Sequence, residues 1–251
     1  MRTIDLNCDL GEGAGHDTEL MSLITSANIA CGAHAGNRET MIAAVALATA
    51  SRVAVGAHPG FPDRENFGRV ERVTTPAEVT RIVLTQIEAL AEIAGPALGH
   101  LKLHGALYNQ VARDASLAGP LAQELARTWP RLVVFALAGS VLAAVARAQG
   151  LRVAGEVFAD RTYRSDGALT PRSQPGAMIT DPEVAVAQVL RMVHEGRVRA
   201  TGGTEVPVRA DTICVHGDGA HAVTFARRLK AALKQAGVRC ASFSAAPGTT
   251  S

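Results

Sequence analysis

The chain has 251 residues, 47% of them hydrophobic and 19% charged, which excludes disorder as its main state and leaves room for one barrel-sized domain. Its 25 Lys and Arg against 23 Asp and Glu give a formal charge of +2 with no long run of like charges, which argues against a nucleic-acid or acidic-membrane surface as main partner. Aromatic residues, at 4%, are too sparse for a base-stacking platform.

The first residues, MRTIDLNCDL, carry Asp5 and Asp9 where a signal peptide would need an unbroken apolar stretch, and no segment approaches the ~20 apolar residues of a membrane span. The four cysteines (Cys8, Cys31, Cys214 and Cys240) form no CxxC pair. Reduced thiols and a cytoplasmic location are therefore expected. Short β-branched runs then alternate with longer Ala/Leu-rich segments of helical period, the pattern of a parallel sheet with crossover helices. Strands are predicted over Thr3–Cys8, Ala27–Cys31, Val53–His58, His100–His104, Leu132–Leu137, Val153–Phe158, Thr212–His216 and a short Val238–Phe243. Helices are predicted over Glu39–Ala50, Ala77–Ile93, Leu117–Thr128, Val141–Gln149, Glu183–His194 and Ala222–Gln235. Thr75-Pro76 and Asp181-Pro182 supply a capping side chain followed by a proline suited to the first turn. Seven or eight such units fit a closed β/α barrel or a doubly wound open sheet, and periodicity does not choose between them. No composition shift divides the chain, so a single domain over residues 1–244 with a flexible tail at 245–251 is expected. Long loops are expected at Gly60–Thr75 and Asp160–Thr180, after strands, where function concentrates.

Strand periodicity of two places Asp5, Asn7 and Asp9 on one face, and likewise His100, Lys102 and His104; Cys214, His216 and Asp218; and Glu156 with Asp160. His58 ends its strand, while Asn28 and His34 flank theirs. One such residue is more often a satisfied buried group than a catalyst. Their recurrence at strand ends instead points to a polar site at the C-terminal mouth of the sheet. A divalent ion held among Asp9, His34, His58 and His216 is possible, whereas Cys31 reads as a buried thiol rather than a ligand. Burial beside other cations would lower the Lys102 pKa; an ion pair with Asp9 or Glu156 is the plainer alternative. The glycines of GEGAG suit tight turns whose amides face an anion. Neither a P-loop nor a GxSxG elbow occurs.

Together, DLNCDLGEG (5–13), SANIACGAHAGN (26–37), GAHPGFPD (56–63), FGR (67–69), HLKLHGALYN (100–109), EVFADRTY (156–163) with GALTPR, and TICVHGD (212–218) resemble the LamB/YcsF family over nearly the whole chain. That resemblance implies an irregular parallel β/α barrel of about seven strands, related to glycoside hydrolase and deacetylase barrels. It implies hydrolysis of the lactam of 5-oxo-L-proline to L-glutamate with ATP as co-substrate, in a complex with subunits B and C of a 5-oxoprolinase. Ala14, Ala33, Asn37 and Leu103 depart from the usual pattern, and Asn37 retains the ability to cap a helix. The lactam reaction calls for a base, for which Asp9 or Glu156 is assigned, and for charge stabilisers, for which Lys102 and His104 are assigned. Arg161 or Arg172 suits a bidentate grip on the substrate carboxylate. Asn7, Glu12, Asn28, His34, His58, Tyr108, Asn109, Asp160, His216 and Asp218 complete the expected binding set. The alternatives are a metal-dependent carbohydrate deacetylase or hydrolase and a noncatalytic lactam-binding subunit.

Overall fold

In the computed structural model, which describes residues 2–216 and 222–243, the chain threads strands and helices in near-perfect alternation. The strands are β1 (Arg2–Leu10), β2 (Ser26–Ala30), β3 (Ala54–His58), β4 (Leu98–Lys102), β5 (Val133–Leu137), β6 (Val153–Phe158), β7 (Arg197–Arg199), β8 (Glu205–Pro207), β9 (Thr212–Val215) and β10 (Val238–Cys240). The helices are α1 (Asp17–Met21), α2 (Arg38–Ala50), α3 (Pro76–Ala94), α4 (Gly105–Arg113), α5 (Ala115–Thr128), α6 (Val141–Ala148), α7 (Pro182–Glu195) and α8 (Ala222–Gln235). β1 through β6 pair in sequence order, β9 pairs with β6, and β9 also pairs with β1. This last pairing closes an all-parallel barrel of seven strands. The open-sheet alternative is thereby set aside.

β1 is long enough to have two neighbours along the same edge. Its start, Arg2 to Ile4, pairs with β10, and Asp5 to Cys8 pairs with β9. β7 and β8 form a separate antiparallel hairpin. The expected tail at 245–251 lies outside the described residues, as does Asp218.

Several helices form for reasons visible in their sequence. Asn37 accepts a hydrogen bond from the Thr40 amide, and Thr40 answers through its hydroxyl, so α2 opens on a reciprocal cap. Thr75 caps α3 through the Glu78 amide, and Asp181 caps α7 through Glu183. α3 turns Val79, Ile82, Val83, Ile87 and Leu90 onto the barrel at helical spacing, each worth about 1.5–3 kcal/mol when fully buried. Gln86 shares that buried face. It grips Gly60 on both sides, accepting from its amide at 3.1 Å and donating to its carbonyl at 2.8 Å, which fixes the loop after β3. Gln188 on α7 fixes the loop after β6 by donating alone, to the Arg161 carbonyl at 2.9 Å.

Strand parity divides the interior. Ile4, Leu6, Cys8, Ile29, Val55, Leu101, Val134, Val157 and Ile213 face the helices and belong to the main hydrophobic core. The opposite parity lines the barrel lumen largely with polar groups, while an apolar patch lies low on β5 and β6. There Val133, Phe135 and Ala154 form a small separate apolar cluster with Phe243.

Candidate active site

The polar rows run the full depth of the barrel, so residues that share a strand face have different surroundings. Asp5 lies at the floor and is 1% exposed, with its carboxylate accepting hydroxyls from Thr25, Ser26 and Thr212. Burial nevertheless leaves its pKa above the ordinary value. One layer up, Asn7 Nδ2 donates to Thr212 Oγ1 at 2.8 Å, Asn28 Nδ2 donates to Asn7 Oδ1 at 2.8 Å, and His100 Nε2 meets Asn28 Oδ1 at 2.9 Å. Burial and the nearby Lys102 charge press the His100 pKa down to about 3, so it is a neutral donor in this chain. Room for its ring comes from Gly56: a Cβ there would lie 2.1 Å from the imidazole.

Lys102 sits above that layer. Its ammonium is 2.8 Å from Asp9 Oδ1, 3.2 Å from Asn7 Oδ1, 3.0 Å from Cys214 Sγ and 3.1 Å from Glu156 Oε1. The expected lowering of its pKa is corrected: burial does oppose the charge, but Asp9, Cys214 and Glu156 outweigh it and hold Lys102 well above the ordinary value. Burial likewise opposes ionisation of Asp9, yet His58 and Lys102 keep it well below the usual carboxylate range. The pair is therefore a fixed ammonium and a fixed carboxylate. Glu156 is fully buried, and although Lys102 is close, neither of its oxygens accepts a well-directed hydrogen bond. The buried Tyr108 hydroxyl likewise makes no well-directed hydrogen bond. Burial and the Glu156 charge push that phenol well above its ordinary value.

A cavity of about 490 Å³ opens over this layer at the C-terminal ends of the strands. Asp9, Lys102, Phe158 and His216 line its floor, with Glu12, His58 and His104 on one wall and Tyr108, Asn109, Arg161 and Arg172 elsewhere. His216 Nδ1 lies 2.9 Å from both oxygens of Asp160, which fixes the ring at the cavity and leaves Nε2 outside that contact. The two groups of the expected arginine grip differ. Arg161 is buried, and spends Nε on the Ala177 carbonyl and Nη2 on the Thr170 carbonyl, pinning the 160–180 loop. Arg172 is exposed on the cavity wall.

On the other wall three histidines gather around Glu12. His34 Nε2 is 3.1 Å from Glu12 Oε1, His104 Nδ1 is 3.3 Å from it, and His58 Nε2 is 3.7 Å from it. The rings of His34 and His104 stack at 3.8 Å. Burial lowers the pKa of both. These four residues can hold a cation, and so can a second group of Asp9, Cys214 and His216. The expected grouping of His216 with His34 and His58 is therefore not the one formed: His216 belongs to the second group, and His104 with Glu12 takes its place. Lys102 lies against both Asp9 and Cys214, so the second group already has its cation.

Other expectations resolve at single residues. Cys31 is a buried thiol that donates to the Ile29 carbonyl, with its pKa raised to about 12 by burial. The Gly11 amide faces the Asp17 carboxylate, not the cavity. Asn7, Asn28, His34, Asp160 and Glu156 stand behind the cavity lining, while Asp9, Glu12, His58, Lys102, His104, Tyr108, Asn109, Arg161, Arg172 and His216 are on it. Arg69 and Glu71 also line the cavity; sequence reasoning did not select them, although Arg69 closes the FGR string.

The LamB/YcsF family matches residues 4–248 of the chain. The A subunit of 5-oxoprolinase from Geobacillus kaustophilus (strain HTA426) is 51% identical over 245 residues, which cover 95% of this chain and 96% of that protein. The protein of the same name from Brevibacillus brevis is 49% identical, covering 96% of this chain and 98% of that protein. A crystal structure of a lactam utilization protein from Thermus thermophilus superposes with a TM-score of 0.87 at 48% identity, covering 96% of this chain and all of that one. A deacetylase with substrate, at TM-score 0.50 and 15% identity over 96% of this chain and 87% of that one, shares the barrel fold.

Proposed function

The chain belongs to the LamB/YcsF family, and from that membership we infer that it is the A subunit of an ATP-dependent 5-oxoprolinase. What supports this most is near full-length identity of about half to two relatives bearing that name. The reaction is the opening of 5-oxo-L-proline to L-glutamate, with ATP going to ADP and phosphate, in a cytoplasmic complex with subunits B and C. The absence of a P-loop string suits a chain whose nucleotide is handled by the assembled complex.

The chemistry has three demands. The lactam oxygen must be activated by the γ-phosphoryl group of ATP, since amide resonance otherwise resists water. A water must then lose a proton as its oxygen bonds to the ring carbon. The C–N bond breaks, the nitrogen takes up a proton to leave as the amine, and a second water cleaves the resulting acyl phosphate to release phosphate and L-glutamate. Lys102, a charge that does not titrate away near neutrality, suits the developing oxyanion. His216, with Nδ1 turned to Asp160, offers its other nitrogen as the base, a role better suited to it than to Asp9, whose carboxylate is held too acidic. Arg172 suits the carboxylate of the substrate or the anionic oxygens of the activated lactam.

The test is reconstitution. Glutamate release and ATP hydrolysis are followed with 5-oxoproline in the presence of all three subunits and with each left out. Turnover that requires this chain and falls on substitution of His216 supports the reading. Full turnover without this chain, or deacetylation of an acetylated oligosaccharide by the chain alone, overturns it.

A further inference from the structure

The histidine wall contains a contact that neutral imidazoles do not make unaided. His58 Nδ1 is 2.8 Å from the Lys102 carbonyl oxygen, and His104 Nε2 is 2.9 Å from the Phe67 carbonyl oxygen. A carbonyl only accepts, so each of those nitrogens carries the hydrogen. The remaining nitrogens, His58 Nε2 and His104 Nδ1, then both present lone pairs, and they face each other at 2.9 Å. Something positive belongs between them, either a proton on His58, favoured by Asp9 at 3.4 Å, or a metal ion. The same arrangement, with the outer N–H held by a carbonyl and the inner lone pair aimed at a common point, is what fixes histidines as metal ligands.

The spacing fits as well. Ligands at about 2.0–2.1 Å from a tetrahedral zinc stand roughly 3.3 Å apart. The pairs here measure 2.9 Å for His58 to His104, and 3.1, 3.3 and 3.7 Å from Glu12 to His34, His104 and His58. His34 lacks an outer partner, since its buried Nδ1 bonds to nothing. Its ring is held instead by the His104 stack and by Gly60, where a Cβ would approach Nδ1 to 2.7 Å. Gly60 is in turn clamped by Gln86, so the fold commits helix α3 to placing this ring.

We propose that Glu12, His34, His58 and His104 form a binding site for one divalent cation of the zinc, cobalt or nickel class on the cavity wall. Three imidazoles and one carboxylate are too nitrogen-rich for magnesium or calcium, which prefer oxygen. Glu12, His58 and His104 line the cavity, so the ion faces whatever the cavity holds. The inference goes beyond the lactam reading and does not depend on it.

The test uses the full chain, stripped with chelator, dialysed against each metal in turn and desalted. Bound metal is measured by elemental analysis, and Co(II) is followed by its visible ligand-field spectrum. About one equivalent of zinc or cobalt per chain is expected, with a melting-temperature rise of several degrees that magnesium does not reproduce. His58→Gln with His104→Gln should abolish retention, and the milder Glu12→Gln should weaken it by roughly 10-fold or more. Folding of each variant is checked by circular dichroism. Cys214→Ser, in the group occupied by Lys102, should leave retention unchanged. Failure of the parent chain to retain any of these metals overturns the proposal, as does retention by the folded double variant or loss on Cys214→Ser.

Discussion

Lys102 Nζ stands 2.8 Å from Asp9 Oδ1 beneath the cavity, joining the C-terminal end of β4 to that of β1. The two charges stabilise each other against burial that opposes both. Removing either deprives the other of its nearest counterion in a buried layer, at a cost of about 3–5 kcal/mol. Lys102→Met and Asp9→Asn should each destabilise the chain in urea titration. The double variant should cost less than the two combined, by about 0.5–3 kcal/mol. Lys102→Met should also lower 5-oxoproline-dependent turnover of the reconstituted complex by about 10²–10³, the effect of losing one oxyanion donor.

Thr212 couples the floor of the barrel to the layer that carries Lys102. Its hydroxyl donates to Asp5 and accepts from Asn7 Nδ2 at 2.8 Å. Thr212→Val keeps the shape but strips both bonds, leaving an acceptor and a donor unsatisfied at about 1–3 kcal/mol each. Thr212→Ser retains the hydroxyl and should recover most of that loss. Thermal unfolding of the pair separates the hydroxyl from the methyl; equal destabilisation by both variants would refute the coupling.

The strand rows were legible because period two assigns a face, and the Asp5, Asn7, Asp9 row does face the lumen. Depth along the strand was not legible from that rule. Asp5 serves the floor and Asp9 the cavity, although both have the same parity. Barrel closure was equally hidden, because it depends on β1 sharing one edge between β9 and β10. α4 escaped notice because it begins at Gly105 with φ +53° directly after β4 and lacks a side-chain cap. The direction of the Lys102 shift was misread because its neighbours in space are anions, while its neighbours along the strand are histidines. The Asp160–His216 contact joins different strands' ends, and only the fold brings them together.

Gly56 is needed by a residue 44 positions away in the sequence, since its missing Cβ is the space filled by the His100 ring. Gly56→Ala should therefore cost about 1–3 kcal/mol or more through overpacking. His100→Ala opens the space but deprives Asn28 Oδ1 of its donor. In that background the added methyl should cost far less than it does in the parent. A double-mutant cycle by urea unfolding measures the coupling, and strict additivity would contradict it.

Asp160 supplies a pH dependence with a definite sign. Burial works against its charge, but His216 and then Arg172 hold its pKa below the ordinary value near 3.8. A carboxylate with a folded-state pKa lower than its unfolded one contributes stability that is complete above the unfolded value. That contribution is lost as pH falls through the depressed folded value. Asp160→Asn should thus destabilise the chain at neutral pH, and the gap from the parent should shrink as acid is added below the ordinary carboxylate value. Because Asp160 also orients His216, the variant should lose turnover at neutral pH with kcat falling more than KM changes. Urea midpoints across pH, set beside kinetics of the reconstituted complex, test both halves. A stability gap that widens in acid would show that the His216 contact does not hold the carboxylate down.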